Sequence, residues 1–157
     1  MEWYSNKDVG IFFDDVPHVG IRYTLPTMTK EEKRGIEKYP FICKKELCVE
    51  LKDYKKNNIY KFTVPKGYCY DGASIPRIFW RVVGSNTDNR FLIPALIHDV
   101  LCEHHDYINN DRSFSTKVFN ALLEASGVCS FKRFFMKNSV DCFQAMFCHW
   151  KKRSTNG

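Results

Sequence analysis

No Cys-x-x-Cys pair occurs anywhere in this chain of 157 residues, although it carries seven cysteines. Their absence removes the zinc-ribbon and thioredoxin-like readings. The thiols, Cys43, Cys48, Cys69, Cys102, Cys129, Cys142 and Cys148, are odd in number, which speaks against a closed disulfide framework. Reduced, mostly packed thiols in a cytosolic setting are expected. The opening "MEWYSNKDVG" has no basic stretch leading into an apolar one, so no secretory signal is expected. No apolar run approaches the ~20 residues that cross a bilayer, so no membrane partner is expected. Repeats, low-complexity tracts and dividing linkers are also missing. The glycine context of a G-x-S-x-G elbow is absent around Ser74, which argues against a serine nucleophile there.

What is present is an ordinary globular composition, 44% hydrophobic and 27% charged, with an unusual load of aromatics at 15%, thirteen of them Phe. Bulky rings should therefore fill much of the interior. A net charge of +6 acts mainly on solubility when spread over a whole surface. Basic and aromatic residues interleave in "CSFKRFFMKN" and "HWKKR", a pattern compatible with nucleic acid. A solvated helix face explains the same residues more simply.

The first forty residues read as an N-terminal extension: two short strands, "VGIFFDDV" and "VGIRYTL", then the exposed helix "TMTKEEKRGIEKYP". Thr29 and Glu32 have capping-box spacing, and Pro40 bars continuation. Residues 41–152 read as one α+β domain and 153–157 as a tail. "ELCVELKDY" turns Leu47, Val49 and Leu51 to one face. "NIYKFTVP" turns Tyr60, Phe62 and Val64 away from Ile59, Lys61 and Thr63, and "KKNN" joins the two as an antiparallel hairpin. "YCY" is a brief third strand leading into Asp71. About four helices follow as a bundle. They are "RIFWRVVG" after Pro76, a buried helix from near Leu92 through "LIHDVLCEH", "DRSFSTKVFNALLEASG" ending at Gly127, and "SFKRFFMKNSVDCFQAMFCHW". In the last, Phe131, Phe135, Cys142, Met146 and His149 form the expected apolar stripe.

Four polar residues stand out against this background. Asp71 and Ser74 lie in "YDGASIPRIFW", and His98 and Asp99 lie in the middle of an all-apolar helix. Burying an unpaired carboxylate costs several kcal/mol, so Asp99 must find a partner or a wet cleft. Turn and capping chemistry accounts for Asp71 and Ser74 without any activity. A satisfied hydrogen bond accounts equally for His98. The sharper reading joins all four at one site, with Asp71 or Asp99 beside His98 holding a divalent metal such as zinc, or activating water. His98, Cys102 and His105 also share a helix face at i, i+4 and i+7, a second arrangement compatible with metal. Both site readings require the acidic turn to pack against the imidazole-bearing helix.

The segments "VPKGYCYDGASIPRIFW", "IPALIHDVLCEH" and "RSFSTKVFNALLEASGV" resemble the phage and prophage family known as domain of unknown function 1353. The resemblance runs from about Leu47 to Met146. It implies a phage origin, manufacture in the host cytoplasm with the virion as a further destination, and a phage or host protein as partner. Family members carry an acid inside the helix after the His-Asp pair. Ser115 and Thr116 stand at that place here, so a carboxylate is missing from the pattern. Two functions are weighed, and the first is the expected one. One is a non-catalytic virion-associated or adaptor component, with Asp71, Ser74, His98 and Asp99 as a packing network. The other is a small metal-dependent hydrolase using the same residues.

Overall fold

The structure is a computed structural model that describes residues 1–71 and 89–147. Hairpin alternation organises it. Strand β5 (Leu47–Asp53) pairs antiparallel with β6 (Asn58–Val64), Leu51 facing Tyr60 and Val49 facing Phe62. Every second residue of β5, and of β6 from Tyr60 onward, is buried, as the pattern requires. The connecting turn is built by Asp53, whose Oδ1 accepts the N–H groups of Lys55 and Lys56, and by Asn57 at φ +54°.

Two further strands complete this sheet from the N-terminal side. β1 (Glu2–Ser5) pairs with β2 (Val9–Phe13), and β2 pairs with β5, giving the order β1-β2-β5-β6. Residues read as an extension thus supply an internal strand, and Val9, Ile11 and Phe13 are buried in the common core. A second sheet has the order β3-β4-β7, from Val19–Ile21, Phe41–Cys43 and Cys69–Tyr70. Between its first two strands lies α1 (Lys30–Lys38), closed by the expected capping box of Thr29 and Glu32.

The helical half follows. α2 spans Asn89–Glu103, α3 His105–Ile108, α4 Arg112–Ala125 and α5 Ser130–Phe147. The architecture is α+β, as the strand-then-helix order predicts. The expected helix "RIFWRVVG" lies outside the described residues. α2 is already helical at Asn89, ahead of the expected start near Leu92, so Pro94 sits inside it and removes the donor for the Arg90 carbonyl. The stripe expected on α5 is also corrected. Phe131 is 62% exposed and Cys142 is exposed, whereas Met136, Val140 and Gln144 are buried at i, i+4 and i+8. Met146 can be placed only by its backbone, and His149 lies outside the described residues. α4 packs on α2, on α5 and on the N-terminal strands, and Gly127 at φ +80° turns the chain after it.

The core is continuous between sheet and helices, with Tyr60 against Phe114 at 4.7 Å between ring centres. Leu51 is fully buried on an internal strand. Leu51→Ala is expected to lower the unfolding free energy by about 2–5 kcal/mol in a urea titration. Thr29→Ala removes only one helix cap and should cost about 1 kcal/mol by the same measurement.

Candidate functional site

The short strand β7 carries the first half of the site to α2. Tyr70 is buried, pairs with Phe41 across the second sheet, and donates its hydroxyl to the Leu92 carbonyl at 2.9 Å. Two residues earlier Tyr68 donates to Glu103 Oε2 at 2.5 Å. The strand is thus fastened to the helix at two points. Asp71, the next residue, hydrogen-bonds through its side chain and its backbone N–H to Asp99. The acidic turn and the central helix do meet.

Two carboxyl groups in contact cannot both ionise cheaply, and here one, Asp71, is exposed while the other, Asp99, is half-buried. Burial pushes the Asp99 carboxyl well above the ordinary carboxylate range, and the Asp71 charge, the hydrogen bond to Asp71 and the Glu103 charge push it the same way. Only the Asp71 N–H pulls it back. Asp99 is therefore held protonated, and its Oδ2 is buried with no hydrogen-bond partner among the described residues. Tyr68 feels the same acids: burial first, then Glu103, Asp99 and Asp71, hold its hydroxyl strongly protonated.

His98 lies one residue away and so points about 100° around the helix. Its Nδ1 is 3.8 Å from Asp99 Oδ1, too long for a hydrogen bond, and its ring packs on Phe119 with centres 5.1 Å apart. Burial lowers its pKa to about 4, against the charge of Asp141, which raises it. The imidazole is neutral at physiological pH and can accept a proton. Its Nε2 is buried and has no hydrogen-bond partner among the described residues.

Asp141 answers the question of the missing carboxylate. Thr116 Oγ1 is within donating distance of Asp141 Oδ1, 3.0 Å, and of the Arg112 carbonyl, 3.1 Å. Gln144 donates to the same Thr116 oxygen at 3.2 Å, and Arg112 Nε stands 3.3 Å from Asp141 Oδ1. The hydroxyl at Thr116 thus holds an acid delivered by α5, one whose charge reaches His98. Nothing in the local pattern around Thr116 announces this. The one signal was that Asp141 is the only acid in Ser130–Phe147.

The remaining expected residues separate. Ser74 lies outside the described residues. Cys102 is disulfide-bonded, and none of the described free cysteines is its partner, which corrects the expectation of reduced thiols at that position. A disulfide sulfur is no thiolate ligand. α2 stops at Glu103, so the face shared by His98 and Cys102 does not extend as one helix to His105, whose Nδ1 instead meets the Cys102 carbonyl at 2.8 Å. Among the described residues no group of three or more His, Cys, Asp or Glu side chains is placed to hold a metal ion. Tyr68, Glu103, Asp141 and Gln144 are the participants that sequence reasoning missed.

Comparison with known proteins agrees with the extent of this unit. A stretch of 46 residues, 29% of the chain, is 44% identical to the uncharacterized protein y4jT of Sinorhizobium fredii (strain NBRC 101917 / NGR234), and it spans 14% of that relative's length. No solved structure matches. The model of the family described as protein of unknown function (DUF1353) matches residues 46–140, from β5 into α5 and across Asp71, His98, Asp99 and Thr116, and the chain belongs to that family.

Proposed function

We propose that the protein is a small divalent-cation-dependent hydrolase, with His98 as the base and the Asp71–Asp99 pair as the cation seat. The observation that carries this is the contact of exposed Asp71 with half-buried Asp99, whose Oδ2 has no hydrogen-bond partner among the described residues, beside a neutral imidazole. Buried polar atoms without partners are a small minority in folded proteins, and a bound ion is one reason for them. Two carboxylates with no third side chain suit a hard cation that keeps water or carbonyl ligands, calcium or magnesium, better than zinc. Displacement of the shared proton by such a cation would remove the like-charge conflict.

The cation would polarise the scissile carbonyl. His98 Nδ1 takes one proton from a water molecule as its oxygen bonds to the carbonyl carbon. The tetrahedral species then collapses, the bond to the leaving group breaks, and His98 returns the proton to that group. Asp141 is placed to stabilise the transient imidazolium by its charge. The adaptor reading, in which a virion component uses these groups to lock its packing, needs every member paired. Among the described residues His98 Nε2 and Asp99 Oδ2 have no partner.

Calorimetric titration with calcium, magnesium, manganese and zinc, together with assays of nitrophenyl esters, tests the proposal. Binding of a hard cation with release of about one proton is expected, lost in Asp71→Asn. Ester turnover should require the cation and fall about 10²–10⁴-fold in His98→Asn while far-ultraviolet dichroism stays unchanged. A chain that binds none of these cations at millimolar concentration sinks the reading and returns the adaptor to first place.

A further inference from the structure

Beside the acidic pair, on the next residue of the same helix turn, Val100 faces a cleft of about 380 Å³. Its walls are mostly apolar, from Phe62, Val64, Tyr68, Val100 and Ile108, with His104 and Thr63 beside them, and among the described residues no Asp, Glu, Lys or Arg lines it. The volume lies in the range of small-molecule sites, roughly 300–1,000 Å³. The cleft runs under β6, which ends the order of its sheet. A second hollow of about 550 Å³ shares Phe62, Thr63 and Tyr107 with the first but is lined also by Asp14, Glu50 and Lys61. The apolar path is the cleft alone. Tyr107, 86% exposed, stands where the two meet.

Tyr68 connects this path to the chemistry. Its ring walls the cleft and lies 6.2 Å from the His104 ring, while its hydroxyl binds Glu103 next to Asp99 and Asp71. Among the described residues, Tyr68 borders both the acidic pair's surroundings and this apolar cleft. We infer that the substrate is an acyl compound with a linear hydrocarbon chain, and that the chain lies in the cleft between β6 and the α2–α3 corner. The inference rests on the hydrolase reading for the reacting end and on the cleft alone for the chain. A charged or strongly polar chain would find no counter-charge along these walls. An unbranched one gains by leaving water at each methylene.

The neutral probes 1-hexanol, 1-octanol and 1-decanol separate the two parts, because they report the cleft without any hydrolysis. Affinity measured by calorimetry should rise about fourfold per added methylene, the equivalent of ~0.8 kcal/mol. His104→Trp, a change at an exposed position that lines the cleft, should weaken 1-decanol at least tenfold, and His104→Gln should not. Affinity that is flat with chain length, or that survives His104→Trp, overturns the inference. Acetate esters turned over as fast as decanoate esters, with cation binding intact, overturn it as well and leave the hydrolase standing. Chain-length-dependent alcohol binding without turnover of any ester upholds the cleft and removes the hydrolase.

Discussion

Asp99→Asn is expected to make the protein more stable at pH 7, by about 1–2 kcal/mol. An amide keeps the shape of the carboxyl and can donate to Asp71, but it never has to ionise beside another acid. The sign follows from the raised pKa. Asp99 holds its proton more firmly folded than unfolded, where the ordinary value is 3.8. Its favourable contribution is complete below that value and is lost as pH rises through the folded one. The advantage of Asn therefore grows with pH, and urea titrations between pH 4 and pH 9 should display it. Adding the cation that binds should restore wild-type stability and leave the variant unmoved, since only the wild type has the seat. Loss of stability at pH 7 in Asp99→Asn would mean that the carboxyl serves packing, and the cation seat would fall with it.

Acid reveals the second residue. His98 is buried neutral with a pKa of about 4, against 6.5 when unfolded. Its contribution is complete above 6.5 and is lost as pH falls through about 4, a change of about 3 kcal/mol at 1.36 kcal/mol per unit. In the wild type Asp99 gains over part of the same window, so the two partly cancel. The cleanest readout is therefore the Asp99→Asn background, where acid sensitivity between pH 6.5 and 4 should steepen. Adding His98→Asn to it should flatten the curve. The same low pKa places the acid limb of ester turnover near pH 4, well below the ordinary imidazole range. An acid limb near 6.5 would show an imidazole in contact with water, and the buried-base account would be wrong.

Particular residues show how far local pattern reaches. The alternation of Leu47, Val49 and Leu51 against Tyr60, Phe62 and Val64 reads directly as the observed hairpin, because side chains on a strand alternate faces without help from distant parts. Thr29 and Glu32 read as a capping box for the same reason: every atom involved lies within one turn. On α5 the pattern misled. The expected stripe included Phe131 and Phe135, yet Phe131 is 62% exposed and only Phe135 packs partly on the core, because the face that α4 covers is the one bearing Met136 and Val140.

The chain alone determined the α+β order and the alternating faces of the central hairpin, and it singled out Asp71, His98 and Asp99 as polar residues beside apolar runs. Each of those follows from periodicity or from the cost of burying a charge. Contact between Asp71 and Asp99, the internal place of Val9–Phe13 in the sheet, and the delivery of Asp141 to Thr116 were decided only by tertiary structure. They join residues 25 or more positions apart. Which partner a buried acid meets depends on how sheet and helices pack, and no local preference encodes that.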